Sequence, residues 1–424
     1  MALSMLPTSG SYLCTPLRAV HWGPGSISSL PTIIRSLVSS YDKNAQPTAM
    51  IITGKSLLEK TPVIGDVCKM LEKEGMFGGV FSEIGQHARK LVRVEFWVFA
   101  YPRDSGVQAI KQVKAAQKLA EDNKVNVLVS IGGGSPIDSA KAIAYFIHES
   151  SKSDNFIPHI AVPTTLSVAE TTQNAGFTNE QGQKAGVNHP DNAPRAIIYD
   201  ANLAMYTPLR LWLSTGMRAV DHAIETMYRD GAPPQIRHMA MFATKGLFEA
   251  LEACKKNPDD VKIRQNCYLV AWESLWPLAR AGALGLSHAL GHKLGATYAI
   301  PHGICSVLTL PETVKLMSRN LEGNDLACLA TAHAFLPTAY QGSVDKLGLD
   351  ASAASEEAQR AAAHQVGEAV ALLVKNLGLE STLKEYKVPE GDLEGIAGKV
   401  EDSKPDGAPY KKDQIMESIL KKIY

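Results

Sequence analysis

The sequence lacks the features that define several classes of protein. None of its six cysteines forms a CxxC pair, and they are spread over 424 residues, which argues against a disulfide framework or a zinc ribbon. No apolar run reaches the roughly 18 residues of a membrane-spanning helix. Lys plus Arg equals Asp plus Glu, at 43 each, so no charge excess favours nucleic acid or anionic lipid. We therefore expect no nucleic-acid partner and no membrane contact, and instead a small-molecule substrate.

The start of the chain also lacks a secretory signal. Residues 1–17 have neither a basic first segment nor a long apolar stretch, and their serine and proline content predicts a flexible lead. Cysteines without a pairing pattern indicate reduced thiols, so the expected location is cytoplasmic. The hydrophobic share of 45 % and the charged share of 20 % are ordinary for a globular enzyme, and the length predicts two domains.

Apolar runs and helix-like stretches alternate through the first half of the chain. The runs with the composition of buried strands are 49–53, 125–131, 159–162 and 196–199. Strands that alternate with helices through glycine-rich turns are typical of a parallel sheet covered on both faces. The later runs have helical periodicity and lie at 209–229, 235–255, 261–279, 284–294 and 351–377. We predict a flexible lead at 1–17, an α/β domain at 18–205 and an all-α domain at 206–424.

A glycine-rich turn follows the second predicted strand. Gly132, Gly133 and Gly134 let the backbone approach a pyrophosphate closely, and Ser135 can cap the helix that begins there. The free N–H groups and the positive end of the helix dipole would face the phosphates. We predict that this turn, which continues to Asp138, binds a dinucleotide. A glycine-rich turn of this kind, taken alone, also occurs without a ligand.

Three histidine-bearing elements lie in the helical half. Arg218 and His222 are one helical turn apart and share a helix face. His288 and His292 have the same spacing, and His302 follows in a Pro-His-Gly sequence, 14 residues after His288. Each histidine alone would most often be a core or surface residue. The set in this register indicates an active site.

These motifs together resemble the iron-containing alcohol dehydrogenase superfamily over nearly the whole chain. The turn GGGSPIDSAK, the sequence Pro163-Thr164-Thr165 and the histidine spacing carry the resemblance. It implies the fold of those enzymes, which dehydroquinate synthase shares, and it implies a homodimer. It also implies nicotinamide binding by the turn together with Thr164, Thr165, Ser167 and Lys184, and hydride transfer to or from the substrate.

The sequence departs from the metal-dependent members at Arg218. In those relatives an Asp at this position joins histidines at the positions of His222, His288 and His302 in holding a ferrous or zinc ion. A guanidinium group cannot be a ligand, and it would repel a divalent ion about 5 Å away by several kcal/mol at an effective dielectric near 20. The pattern looks most like the maleylacetate reductase branch, which lacks that Asp and works without metal. The favoured prediction is therefore a metal-free site.

In a metal-free site Arg218 would polarise a carbonyl oxygen or bind a substrate carboxylate. His222, His288 and His302 would serve as hydrogen-bond donors around the same oxygen. His292 would be the proton donor, since relatives place that histidine next to the nicotinamide. We expect an NAD(P)H-dependent reductase or dehydrogenase that acts on an anionic oxo, enone or enol substrate.

The choice of cofactor depends on the end of the first predicted strand. NAD-preferring relatives often place an Asp at the position of Gly54, where it repels a 2′-phosphate. Gly54 removes that repulsion, and Lys55 or Ser56 could meet the phosphate, so NADP(H) is favoured over NAD(H). After Thr165 the family sequence A-G-T-G-S-E is replaced by a run that is one residue shorter and lacks glycine, at 166–170. That shorter form also looks like the maleylacetate reductase branch.

Two alternatives stay open. In the first, the histidine and arginine cluster catalyses a non-redox isomerisation, dehydration or cyclisation on the same fold. In the second, the protein is an iron- or zinc-dependent alcohol dehydrogenase in which Asp221 or water completes the ligand set. Trp272, Trp276 and Arg280, on one face of a predicted helix, are either core residues or the lining of a substrate pocket. The apolar segment 90–104 interrupts the pattern and is expected to be an insertion.

Overall fold

A computed structural model of the chain describes residues 14–84, 108–151, 155–178, 184–277 and 284–424. Most of the predicted lead, the segment 90–104 and Arg280 lie outside these residues. Backbone contacts divide the chain into two compact units, and the division in sequence falls between Thr207 and Pro208. Among the described residues, no helix has both the length and the apolar character needed to cross a membrane.

The first unit contains a parallel sheet. The strands of the unit are β1 (Ala19–Trp22), β2 (Ala49–Gly54), β3 (Phe77–Ile84), β4 (Val127–Gly132), β5 (His159–Pro163), β6 (Asn174–Thr178), β7 (Lys184–Asn188) and β8 (Ala196–Tyr199). Six of them pair in parallel in the order β1-β8-β5-β4-β2-β3, while β6 and β7 form a separate antiparallel pair. The predicted parallel α/β sheet is confirmed, and the four strands that the sequence predicted are its central members.

Helices cover both faces of this sheet. They are α1 (Leu30–Tyr41), α2 (Lys55–Lys60), α3 (Val63–Lys73), α4 (Gln108–Asp122), α5 (Gly134–Ser151) and α6 (Ala201–Ala204). Successive residues of a strand point to opposite faces. Ala49 and Ile51 accordingly pack with α1 and α3, whereas Met50 and Ile52 pack with α4 and α5. Since both faces are buried, the strand is apolar at every position, which is why it has no alternating pattern.

The order of the strands reverses beside β2. β3 lies on one side of β2, and β4, β5 and β8 follow on the other. In open α/β sheets, ligands bind outside the carboxyl ends of the strands where the order reverses. There β2 ends at Gly54 and its neighbour β4 ends at Gly132. The sheet therefore puts the predicted phosphate-binding turn at the place where this fold class accommodates nucleotides.

The second unit is helical. Its α-helices are α7 (Leu209–Thr226), α8 (Pro234–Lys256), α9 (Val261–Ser274), α10 (Leu286–Tyr298), α11 (His302–Asn320), α12 (Gly323–Phe335), α13 (Glu356–Leu377), α14 (Leu393–Asp402) and α15 (Lys412–Ile415). The predicted all-α second half is confirmed.

Two predicted helices end or begin elsewhere. α9 ends at Ser274 and not at residue 279, because Pro277 lacks an N–H and disfavours a helical residue before it. The predicted helix 351–377 starts as a short 3-10 turn and breaks before α13. Ser355 causes the break, since its side chain accepts a hydrogen bond from the Ala358 N–H at 3.3 Å and caps the new helix.

His159 of β5 makes the sheet sensitive to acid. Its ring is 2 % exposed, and its Nε2 lies 2.7 Å from the Ser130 hydroxyl. Burial, together with the charge of Lys141, lowers the pKa of His159 to about 3, from 6.5 in an exposed histidine. The unfolded chain therefore takes up a proton first as the pH falls. Stability is retained above pH 6.5 and is lost between 6.5 and 3.

We expect the free energy of unfolding to fall by about 2 kcal/mol between pH 7 and pH 5 because of His159 alone. His159→Gln cannot take up this proton, so its loss over the same range should be smaller by that amount. Urea denaturation at the two pH values measures the difference. His364→Gln, at an exposed histidine, is the matched control. Equal pH dependence in the His159 variant and the wild type would contradict the prediction.

Candidate functional site

The glycine turn and the Pro-Thr-Thr sequence lie against each other. Gly132 has φ 146°, in the region that favours glycine, and its carbonyl accepts a hydrogen bond from the Thr164 N–H at 2.8 Å. The side chains of Thr165 and Ser167 approach the next two glycines so closely that an added Cβ would lie 3.1 and 3.4 Å from them. Ser135 is exposed at the start of α5. The structure thus brings these predicted cofactor residues together around one helix N-terminus.

A buried lysine that the sequence reasoning missed anchors this arrangement. Lys141 has a fully buried side chain, and its Nζ donates to the Ala169 carbonyl at 2.6 Å and the Asn174 carbonyl at 2.9 Å. It also donates to the Thr172 hydroxyl at 3.0 Å and faces Asp138 at 3.4 Å. Burial lowers the pKa of Lys141, and the Asp138 charge opposes that shift. Its position three residues after Asp138, on the same helix face, was the available signal.

The segment that lacks the family's glycines keeps a backbone conformation that favours glycine. Val168 is 1 % exposed and has φ 59°, in the left-handed region. Glu170 is buried beside it, and its Oε1 accepts a hydrogen bond from the Tyr199 hydroxyl at 2.9 Å. Among the described residues no partner meets its Oε2. Burial raises the pKa of Glu170 to about 7, so this carboxyl exchanges its proton near neutral pH.

The other predicted cofactor residues lie along the same sheet edge or fall outside the described side chains. Gly54 ends β2 and is half-buried, and Lys55 and Ser56 begin α2 at its exposed end. Their proposed contact with a 2′-phosphate stays a prediction. Lys184 pairs through its backbone with Thr178 in the β6–β7 hairpin, and its side chain is outside the described part of the chain.

In the second unit, one face of α7 carries four ionisable side chains. Arg218, Asp221, His222 and Glu225 stand at positions i, i+3, i+4 and i+7, which share a helix face. Arg218 is 9 % exposed, His222 is 5 % exposed, and the two carboxylates are fully buried. Charges at this depth persist only when they are paired and hydrogen-bonded. The partners come from α10 and α11.

Asp221 is the centre of this network. Its Oδ2 accepts hydrogen bonds from the Ser306 hydroxyl at 2.5 Å, the Ser287 hydroxyl at 3.0 Å and Nη1 of Arg218 at 3.5 Å. Its Oδ1 lies 3.2 Å from Nδ1 of His288. The two serines lie 66 and 85 residues from Asp221 along the chain, so helix spacing could not indicate these contacts.

Glu225 caps the helix that carries His288. Its Oε1 accepts the Ser287 N–H at 2.7 Å, and its Oε2 accepts Nδ1–H of His288 at 2.7 Å. The N-cap of α10 is Gly285, which has no side chain to satisfy these first-turn donors. A Cβ at Gly285 would lie 2.7 Å from Oε1 of Glu225, so the glycine leaves the space that the carboxylate fills. Glu225 was missed as a site residue, although its spacing from His222 placed it on the same face.

The charged groups in this cluster change one another's pKa values. Burial acts to raise the pKa of Asp221, but His288 and Arg218 outweigh it and hold that pKa below its ordinary value. Burial and the neighbouring Asp221 charge raise the pKa of Glu225. Burial and Arg218 act to lower the pKa of His288, and the two carboxylates more than reverse this, so its pKa is raised. Burial and the charges nearby lower the pKa of His222 well below the usual value.

Ring contacts join the four histidines of the predicted site in two pairs. The rings of His222 and His288 lie 4.8 Å apart between centroids, and those of His292 and His302 lie 5.9 Å apart. Among the described residues, the group of three metal-competent side chains within 4.8 Å of one another is Asp221, Glu225 and His288. That group already shares the Nδ1 proton of His288. Nδ1 of His222 and Nε2 of His288 are buried and have no partner in the described part of the chain.

His292 and His302 both reach solvent. The protein around the His292 ring, together with the charges of Arg218 and His288, lowers the pKa of His292 to about 4. Near neutral pH this ring is uncharged in the free protein. A bound anion would favour the charged form of His292, and its role as the proton donor stays a prediction.

The two tryptophans stack, though not on one helix. Trp272 lies in α9 and Trp276 lies beyond the end of α9, with ring centroids 4.9 Å apart and an interplanar angle of 29°. Both are half-buried. The prediction of three residues on one helix face is thus wrong for Trp276, because α9 ends at Ser274. Their role as a pocket lining stays a prediction.

Comparisons with known proteins all indicate the same enzyme family. The family model described as "Iron-containing alcohol dehydrogenase" matches residues 98–201, and that described as "Fe-containing alcohol dehydrogenase family, C-terminal" matches residues 212–424. Maleylacetate reductase of Rhizobium sp. (strain MTP-10005) is 29 % identical over 305 residues, which cover 72 % of this chain and 74 % of that protein. NAD-dependent methanol dehydrogenase of Bacillus methanolicus is 28 % identical over 331 residues, which cover 75 % and 81 %.

Solved structures share the fold over the full length. The crystal structure of maleylacetate reductase from Agrobacterium tumefaciens has a TM-score of 0.74 and 24 % identity, and the match covers 99 % of both chains. That of a 1,3-propanediol oxidoreductase has a TM-score of 0.76 and 20 % identity, covering 98 % of this chain and 99 % of the other. At these identities the likeness is one of fold.

Proposed function

Since the chain belongs to the iron-containing alcohol dehydrogenase family and is an oxidoreductase of that type, we propose that it reduces an anionic oxo, enone or enol substrate with NAD(P)H. The observation that carries the proposal is the buried guanidinium of Arg218. It stands where metal-dependent members are expected to carry a carboxylate ligand. It also lies on the buried face of α7 beside His222. A fixed positive charge at this place favours a substrate with a carboxylate.

The chain's own groups have separate roles in this proposal. Arg218 binds and orients the anionic group of the substrate or polarises its carbonyl oxygen. His288, whose pKa is raised, offers Nε2 as a further donor, and His222 and His302 complete the polar surround. His292 moves a proton to or from the substrate. A bound nicotinamide supplies the hydride. The exposed start of α5 and the glycines there fit a pyrophosphate, because the first N–H groups of a helix have no acceptor within the helix and glycine brings no side chain of its own.

A divalent metal does not fit this donor set. Arg218 is charged, and its Nη1 lies 3.5 Å from the same Asp221 oxygen that two serines occupy. An ion bound by His222, His288 and His302 would meet that guanidinium charge in a buried setting. We therefore propose a site without iron or zinc. We further propose a preference for NADP(H), argued from Gly54, and a homodimer, argued from family membership alone.

Titration with NADPH and NADH, followed by quenching of tryptophan fluorescence, tests the redox part of the proposal. We expect both to bind, NADPH more tightly. Gly132→Ala should weaken binding by about tenfold or more, because a Cβ there would lie 2.8 Å from Pro136 at a strained φ of 146°. Gly395→Ala, with nothing within 4 Å of the added atom, is the matched control.

Elemental analysis of the same purified protein tests the metal-free part. Iron and zinc are expected well below one equivalent, because a guanidinium charge beside the histidines repels a divalent ion. One equivalent of either metal would remove the metal-free claim, and the failure of both nucleotides to bind would remove the redox claim in favour of non-redox chemistry.

A further inference from the structure

The carboxylate of Asp221 has no part in the roles above, although it is the best-connected group in the site. Its partners stand on three helices: Arg218 on α7, Ser287 and His288 on α10, and Ser306 on α11. Three of these donors meet Oδ2. Oδ1 lies 3.2 Å from Nδ1 of His288 and makes no hydrogen bond among the described residues. The residue has no exposed surface, so the groups it holds separate it from solvent. Any effect of Asp221 on substrate binding must therefore act through the side chains that it contacts.

We propose that Asp221 is a positioning residue that fixes the Arg218 guanidinium and the His288 imidazole beside each other, so that their remaining donors meet one anionic group of the substrate. The inference deepens the proposed function and rests on it for the identity of the ligand as a carboxylate. It assigns the orientation of the two groups to a third residue that touches neither substrate nor cofactor.

The geometry of Arg218 supports this. Among the described residues, only Nη1 of Arg218 donates hydrogen bonds, to Ser306 Oγ at 3.3 Å and to Asp221 Oδ2 at 3.5 Å. A guanidinium is planar and carries five N–H donors. Fixing Nη1 at two acceptors therefore fixes the whole plane, and with it the direction of the donors on Nε and Nη2. Without Asp221 and Ser306, the long side chain would have no acceptor on that side.

The second group is held in the same way. Nδ1 of His288 is hydrogen-bonded to Glu225 at 2.7 Å, and the charge of Asp221 faces the same nitrogen at 3.2 Å. This sets the ring plane and directs Nε2 to the opposite side, where it is buried without a partner among the described residues. Ser287 donates to Asp221, and the Thr309 hydroxyl lies 2.8 Å behind Ser287. A chain of hydroxyls from Thr309 through Ser287 thus orients the Asp221 oxygens.

The test uses the full-length protein and maleate, a four-carbon dicarboxylate, as the probe in isothermal titration calorimetry. Asp221→Asn keeps the size of the side chain and removes its charge. Ser306→Ala keeps every charge and removes one hydrogen bond from both Asp221 and Arg218. Asp325→Asn is the matched control, since Asp325 pairs with Arg237 at 2.6 Å elsewhere in the helical unit.

We expect Asp221→Asn and Ser306→Ala to bind maleate about tenfold and threefold more weakly, while NADPH affinity changes less than about twofold. With maleylacetate as substrate, KM should rise in both variants, and kcat should fall in Asp221→Asn. Asp325→Asn should change none of these values. If Asp221→Asn does not fold, the maleate affinity of Ser306→Ala alone tests the positioning role.

Two results would overturn the inference. If Asp221 only neutralised charge, its loss would leave a more positive site, Asp221→Asn would bind maleate more tightly, and Ser306→Ala would bind it unchanged. Absence of maleate binding in the wild type would also remove it. Binding of maleate that depends on Asp221 and Ser306, in a protein that does not oxidise NADPH with any carbonyl substrate, would retain the positioning role and remove the proposed reductase function.

Discussion

Arg218→Lys should lower kcat/KM for maleylacetate, or for another anionic enol, by about 100-fold while the protein stays folded. Lysine keeps a positive charge opposite Asp221, so the buried carboxylate is not left without a counter-ion. It offers a compact ammonium in place of a planar fork, so it has no bidentate pair of donors for a substrate carboxylate beside its bonds to Ser306 and Asp221. Steady-state kinetics with NADPH at saturation measures the loss, and the cofactor titration shows that nucleotide binding is retained.

The matched control is Arg210→Lys on the exposed surface of the same helix, which should leave both constants unchanged. A neutral aldehyde provides the second comparison. Its reduction should fall much less than that of the anionic substrate, because Arg218 then has no carboxylate to bind. Equal losses on the two substrates would show that Arg218 acts on the carbonyl oxygen alone, and unchanged kinetics on both would contradict the proposed function.

Gly303→Ala should destabilise the helical unit by about 3 kcal/mol. A Cβ at this position would lie 2.5 Å from the Ser214 carbonyl oxygen and 2.9 Å from the Thr215 nitrogen. Both atoms belong to the backbone of α7, so the contact cannot be relieved by a change of rotamer. α11 would have to move away from α7. Ser306, in the next turn of α11, would then lose its 2.5 Å hydrogen bond to Asp221.

Urea denaturation measures this cost, and the activity of the folded fraction measures the displacement of Ser306. Gly395→Ala is the control, and it should raise the free energy of unfolding where Gly303→Ala lowers it. Gly395 is exposed in the first turn of α14 and has open space around it, so alanine should stabilise the protein by roughly 0.5 kcal/mol. Equal stabilities of the two variants would show that α7 and α11 adjust without cost.

Much of the fold was predictable because its signals are local. The buried strands are continuous apolar runs, and the turn at Gly132 follows one of them directly. The predicted helix ends failed where a single residue decided: Pro277 ends α9 early, and Ser355 starts α13 late. Both residues were visible in the sequence. The helix ends were predicted from hydrophobic periodicity, and that periodicity can continue past the residue that caps or breaks a helix.

The candidate site was predictable in its members but not in its connections. The histidine spacing identified the right helices, yet the partner of His288 is Glu225, 63 residues away, and that of Asp221 is Ser306, 85 residues away. No periodicity reports which nitrogen of an imidazole faces a carboxylate. Burial decides it here, because two fully buried carboxylates are stable only when nearby donors bond to them, and these donors come from α10 and α11. The roles predicted for the site residues stay predictions.

The cap that Glu225 provides to α10 has a consequence for how this sequence can vary. Helix α10 does not carry its own N-terminal cap, and the position that would hold one is Gly285, 2.7 Å from the carboxylate that replaces it. A side chain at 285 and a glutamate at 225 therefore exclude each other. In related chains we expect the two positions to change together, with a serine or aspartate at 285 only where 225 is small. Such a paired change would link α10 to α7 in the variation of the family, as the carboxylate of Glu225 links them in this chain.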